Sequence, residues 1–164
     1  MDNKQKELNA KRVYTALCTA LDELHLHYSK NTLESGSMVC DFKMESDDLP
    51  LSIRILVSPS AEILSIYSSL PFAAKKNVAT VALAVCMIND RWTVGGYDYN
   101  YAEGELLYRI NMLFHGTTIG KESIKEALYA TISHVDKTND LLYDVARGTI
   151  DLEGVMNRLE NKED

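Results

Sequence analysis

Cysteine is scarce and odd in number: Cys18, Cys40 and Cys86 are scattered along 164 residues, each among apolar neighbours. That excludes a disulfide framework and suits free buried thiols in a reducing compartment. With only 3 Pro and 8 Gly, Pro-rich linkers, collagen-like repeats and wholesale disorder are excluded too. Long apolar runs are missing. The longest, Val78 to Ile88, is interrupted by Thr80 and falls short of the ~20 residues that span a bilayer. Met1 to Arg12 is polar and charged, so neither a secretory signal nor an anchor is expected there, and a cytoplasmic location away from membranes follows as an expectation. Positive charge is the minority: 17 Lys and Arg against 24 Asp and Glu give a net charge of −7. No basic stripe offsets it, so binding to nucleic-acid phosphates is not expected.

The chain also lacks the common catalytic and nucleotide motifs. G-x-G-x-x-G, the Walker pattern, G-x-S-x-G, H-E-x-x-H and C-x-x-C do not occur. Gly95-Gly96 follows a helical segment and leads into a strand, the reverse of a phosphate loop, and fits relief of crowding where the strand begins.

What is present is periodicity. Ala10, Val13, Leu17, Ala20 and Leu24, flanked by Tyr14, Leu21 and Tyr28, predict one amphipathic helix from about Lys4 to Tyr28. After Ser35-Gly36-Ser37 the period becomes two. Met38, Cys40, Phe42 and Met44 take one face and Val39, Asp41, Lys43 and Glu45 the other. A turn at Ser46 to Pro50 leads to a second strand with Leu51, Ile53, Ile55 and Val57 inward and Ser52, Arg54 and Leu56 outward; a third strand, Ile63 to Ser68, completes an antiparallel meander. Ser68-Ser69-Leu70-Pro71 reads as the start of a second helix running through Val78, Val81, Ala82, Val85 and Ile88, apolar enough to be buried on most sides. Tyr97, Tyr99 and Tyr101, then Leu106, Tyr108, Ile110, Met112 and Phe114, predict a hairpin turning at Glu103-Gly104. Its register would set Tyr99 opposite Tyr108 and Asp98 opposite Arg109. Ile124, Leu128, Ile132, Val135, Leu141, Leu142 and Val145 mark a long helix from Lys121 to Gly148, and Leu152, Val155, Met156 and Leu159 a short last one. The expectation is one α+β domain over residues 1–164, in the order α-β-β-β-α-β-β-α-α, with a five-stranded antiparallel sheet carrying helices mainly on one face.

Candidate chemistry is thin. Cys18, Asp22 and His25 sit at i, i+4 and i+7 of the first helix and suggest a nucleophile and base or a metal half-site. Residues two turns apart, however, stand ~10 Å apart along the axis, and such trios arise by chance on soluble helices. His25-Leu26-His27 would pinch a metal only if extended, and no ligand pair at known spacing accompanies it. His115 and His134 read as surface or capping residues. No catalytic, metal or cofactor site is therefore expected. The tyrosine row at 97, 99 and 101 fits a core face better than base stacking on an acidic protein. The one unusual feature is the face of the sheet opposite the helices. There Val39, Leu56, Leu107 and Leu113 make it more apolar than solvent requires, so the terminal helices, a second subunit or an extended partner segment covers it.

Ile88-Asn89-Asp90, Gly96-Tyr97 and Gly104-Glu105-Leu106-Leu107-Tyr108-Arg109 resemble the central motif of the YbjN-like proteins, and Thr138 to Gly148, with Asp140 and Ala146-Arg147-Gly148, is similar to the ending of that family's third helix. Asn100 and Glu103 depart from the family's acidic residue before the turn and its Asp in the turn. The resemblance covers most of the chain and implies a fold like that of the type III secretion chaperones, which are small, acidic, usually dimeric proteins that hold extended client segments. It implies no catalytic residues. The expected function is thus a non-enzymatic, homodimeric interaction module that binds a protein segment through Val39, Leu56 and Leu107 with Arg54 and Arg109 nearby. The alternative is a small-molecule sensor or enzyme with a pocket between helices and sheet, Cys18, Asp22 or His25 at its mouth.

Overall fold

The structure, a computed structural model, describes residues 2–45 and 49–161. In chain order the elements are α1 (Asn3–Glu23), β1 (Ser29–Thr32), β2 (Met38–Met44), β3 (Leu51–Ser58), β4 (Ile63–Ser69), α2 (Val78–Asp90), β5 (Gly96–Asn100), β6 (Glu105–Leu113), α3 (Lys121–Arg147) and α4 (Leu152–Asn161). The sheet has six strands in the order β1-β2-β3-β4-β6-β5, every neighbouring pair antiparallel. The expected five strands are short by β1. Its sequence, Ser-Lys-Asn-Thr, is exposed throughout and carries no apolar alternation to reveal it. The expected turn at Ser46 to Pro50 lies partly outside the described residues.

Period two sorts the side chains of the strands into two faces. Cys40, Ile55, Ile66 and Ile110 form one cross-strand row on the inner face, and Phe42, Ile53, Ser68, Tyr108 and Tyr97 the next. These pack with Val13, Leu17 and Leu21 of α1, Val81, Ala84 and Ile88 of α2, and Ile124, Leu128, Val135 and Leu142 of α3 in one core. The helix layer is tied together electrostatically as well. Glu23 at the end of α1 accepts hydrogen bonds from Lys121 and from Lys125, the latter at 2.6 Å, and these ammonium groups hold its carboxyl down at about 2.

Several boundaries differ from expectation, each for a local reason. α1 stops at Glu23 instead of running to Tyr28. His25 takes a left-handed φ of 56°, and the Leu26 N–H reaches back to the Leu21 carbonyl in a Schellman-type ending achieved without glycine. Ser68 and Ser69 do not cap a helix: they continue β4, with Ser68 fully buried opposite Tyr108. α2 begins only at Val78, after Asn77 in the left-handed region. It is buried on one side alone, leaving Val78, Leu83 and Cys86 exposed, so Cys86 is not the buried thiol expected. Cys18 is half-buried and Cys40 buried.

The hairpin register is offset by two residues. Tyr97 pairs with Tyr108 and Asp98 with Leu107, because the turn closes over residues 101–104 with Gly104 as its last, left-handed member at φ 74°. A Cβ there would stand 3.0 Å from the Ala74 backbone. An even offset leaves every side chain on its expected face. The Asp98–Arg109 pair still forms, diagonally, at 2.9 Å. Tyr101 falls in the turn and is 72% exposed.

Candidate functional site

The sheet face turned away from the helices is built from alternate residues of the same strands. One cross-strand row runs Asn31, Val39, Leu56, Ser65 and Asn111, and the next Ser29, Asp41, Arg54, Tyr67, Arg109 and Gly96. A third holds Lys43, Ser52, Ser69, Leu107 and Asp98. All five expected docking residues, Val39, Arg54, Leu56, Leu107 and Arg109, therefore stand on this one face. Two of them, Arg54 and Leu107, line an open depression of about 670 Å³ together with Asp41, Lys43 and Tyr67; Val39, Leu56 and Arg109 lie outside its lining.

Polar groups on this face are pre-arranged. Arg54 grips Asp41 with two parallel hydrogen bonds, Nε to Oδ1 at 2.8 Å and a second guanidinium nitrogen to Oδ2 at 3.2 Å, which fixes the planar guanidinium in place. The Asp41 carboxylate raises the Arg54 pKa further. Arg109 pairs with Asp98 of the neighbouring strand through one guanidinium nitrogen, 2.9 Å from Oδ2. Ser65 Oγ donates to Asn111 Oδ1 at 2.7 Å. Apolar side chains fill the spaces. Leu56, Ile63, Tyr67 and Leu107 are half-buried and Leu113 is 72% exposed. Val39 is only 2% exposed and stands apart from the helix-side core, so it supports Leu56 and offers almost no contact area itself. Tyr67, between Arg54 and Arg109 in register, was not singled out from the sequence, although the alternation of Ile63 to Ser68 places it opposite Ile66. Chemically, the face presents apolar patches, hydroxyls and oriented guanidinium groups.

Among the described residues the helices do not cover it: α1 and α3 pack on the inner side with β3, β4 and β6, and α4 packs on α2 and α3.

The other sequence candidates separate. Asp22 Oδ1 accepts a hydrogen bond from Tyr28 Oη at 2.9 Å, while His25 sits beyond the helix end, so Cys18, Asp22 and His25 do not form a relay. Among the described residues no group of three or more His, Cys, Asp or Glu is placed to hold a metal ion. His115 pairs through Nδ1 with Glu62 Oε2 at 2.9 Å. His134 stacks on Trp92 at 3.8 Å between ring centroids and hydrogen-bonds Tyr108 Oη; burial and Lys137 lower its pKa. Gly95 makes room for Tyr108, whose hydroxyl donates to the Val94 carbonyl at 2.7 Å and would collide with a Cβ at position 95. At the β5 edge, Asn89 of α2 accepts from the Tyr97 N–H at 2.8 Å and donates to the Tyr97 carbonyl at 3.0 Å.

No helix among the described residues is long and apolar enough to cross a membrane. No family model matches the chain, and no curated protein matches it in sequence. The resemblance to the YbjN-like proteins accordingly stays a resemblance. Solved structures do match in fold. A chain of the ExsC-ExsE complex superimposes with a TM-score of 0.51 at 14% identity, over 81% of this chain and 95% of that one. A chain of the HopA1-SchA chaperone-effector complex gives 0.52 at 10% identity, over 81% and 93%. The fold is therefore α+β and similar to that of these two chains, with four helices and a six-stranded antiparallel sheet among the described residues.

Proposed function

We propose that this chain is a non-enzymatic, chaperone-like binding module that holds an extended protein segment on the outer sheet face, working as a homodimer in the cytoplasm. The observation that carries the reading is the uncovered face itself. It joins half-buried Leu56, Tyr67 and Leu107 to two arginines already oriented by carboxylates. The fold it shares with a chain of a chaperone-effector complex adds support. Charge narrows the partner. The depression sets Lys43 and Arg54 against Asp41 alone, a locally positive spot on a chain of net charge −7. A segment presenting apolar and acidic side chains in alternation fits that surface.

Native affinity capture with mass spectrometry identifies the partner, and the decisive measurement is its purified affinity for Arg54→Glu/Leu56→Asp. We expect at least a tenfold loss with an unchanged circular dichroism spectrum. Undiminished binding by the folded double variant would place the site elsewhere. Light scattering checks the dimer separately, since a mass near 18.4 kDa at high concentration removes that part alone.

A further inference from the structure

The depression on the outer face has a direction. Apart from Phe42 and Ile53, its lining residues belong to two neighbouring cross-strand rows of this face but to five strands, β1, β2, β3, β4 and β6, so it runs across the strands and not along them. Its floor follows from the register. Ser52 and Ser69 stand opposite each other, two small side chains between Lys43 on β2 and Leu107 on β6. Arg54 and Tyr67, paired in the neighbouring row, flank them. The chemistry is graded along this line. Leu107 makes an apolar end. The serine hydroxyls and the Tyr67 ring occupy the middle, beside a guanidinium that Asp41 holds in place. Lys43 makes a cationic end, exposed and without an ion pair among the described residues. Asp41, the carboxylate two residues before it, is already engaged by Arg54.

Neighbouring strands stand ~4.8 Å apart, so the three steps from Leu107 to Lys43 span ~14 Å. An extended chain advances ~3.4 Å per residue, which sets the side chains on one of its sides ~7 Å apart and residue i+4 ~14 Å beyond residue i. Two such intervals match the line from Leu107 to Lys43, and the residue between them falls over the serine pair. We propose that the partner segment crosses the strands along this line and is recognised by three side chains: an apolar one on Leu107, an aromatic one two residues away above Ser52 and Ser69, and a carboxylate two residues further, paired with Lys43. The spacing is the same for either chain direction. This rests on the reading that the outer face holds an extended protein segment, and it adds the path and the pattern of that segment. The aromatic position follows from its surroundings. Two serines leave room for a large side chain, and both the Tyr67 ring and the Arg54 guanidinium are surfaces on which an aromatic ring packs. The acidic position follows from Lys43, the cation of the depression that has no carboxylate of its own among the described residues.

The experiment selects a phage-displayed library of random decapeptides on the immobilised full chain, then measures the best binder, labelled with fluorescein, by anisotropy. We expect the enriched sequences to carry an apolar, an aromatic and an acidic residue at successive intervals of two. Lys43→Glu should weaken the selected peptide at least tenfold, and replacing the peptide's acid by lysine should restore binding to that variant alone. Ser52→Leu combined with Ser69→Leu fills the floor and should abolish binding. Both serines are exposed, so the circular dichroism spectrum should not change. If that pair of changes does prevent folding, Lys43→Glu and the charge-reversed peptide decide alone. A selected peptide that binds Lys43→Glu and the filled variant as tightly as the unchanged chain, yet is lost from Arg54→Glu/Leu56→Asp, would overturn the crossing path and leave the outer face as the binding surface. Indifference to all three variants would overturn both. Enrichment without the two-residue intervals, or no enrichment, would overturn the crossing path as well.

Discussion

The two faces of the sheet are written by the same strands, yet they differ in almost every property. On the inner face Ile55, Ile66 and Tyr108 are at most marginally exposed and sit beneath three helices. On the outer face Arg54, Tyr67 and Arg109 occupy the neighbouring positions of those strands without a helix above them. The inner face is where burial stabilises the fold, whereas the outer face carries polar groups that water solvates and that neighbouring carboxylates and hydroxyls orient. Stability and recognition are thus assigned to alternate residues, so a substitution can in principle change one and spare the other.

That separation can be broken by measurement, beginning on the inner face. Ile66→Ala removes a fully buried side chain and should cost ~2–5 kcal/mol in urea unfolding. A loss as small as that of an exposed residue would contradict the assignment of the core to this face. At the edge where the faces meet, Asn89→Ala leaves the Tyr97 N–H and carbonyl without their partners and should cost ~1–3 kcal/mol. Asn89→Asp should fall between, since a carboxylate accepts from the N–H and cannot donate to the carbonyl. Unfolding curves for the two variants that coincide would show that the bond accepted from the Tyr97 N–H contributes nothing. The smallest effect is expected outside. Arg54→Ala removes an exposed ion pair with Asp41 and should change stability by ~0–1 kcal/mol while weakening partner binding. A larger loss of stability would mean the outer face also supports the fold.

Much of this was legible in the sequence because period two survives small errors. The hairpin register was offset by two residues, yet Tyr97, Tyr99 and Tyr108 kept their face and Asp98 still met Arg109. What could not be read lacked an apolar signal. β1 is four polar residues held by pairing alone, and α1 ends at a histidine in the left-handed region where glycine would be the usual marker. Ser68 and Ser69 followed by Pro71 imitate a helix start. Only the burial of Ser68 opposite Tyr108 reveals a strand. For the candidate site, strand alternation gave the side of the sheet. The depression and the bidentate Arg54–Asp41 clasp depend on which residues stand opposite across strands, and that is fixed by register.

The Asn89 side chain has a consequence at the scale of many molecules. Its amide presents one acceptor and one donor to Tyr97, as the backbone of an incoming strand would. Polymer growth through sheets needs two complementary edges on each copy, so that one molecule's last strand can receive the next molecule's first. Here the β5 end is already occupied at Tyr97, leaving β1 as the other edge. A lone free edge can pair only with its own copy around a twofold axis, which terminates after two chains. At Tyr97 the Asn89 carboxamide stands where an incoming strand would pair, which disfavours head-to-tail addition at that edge.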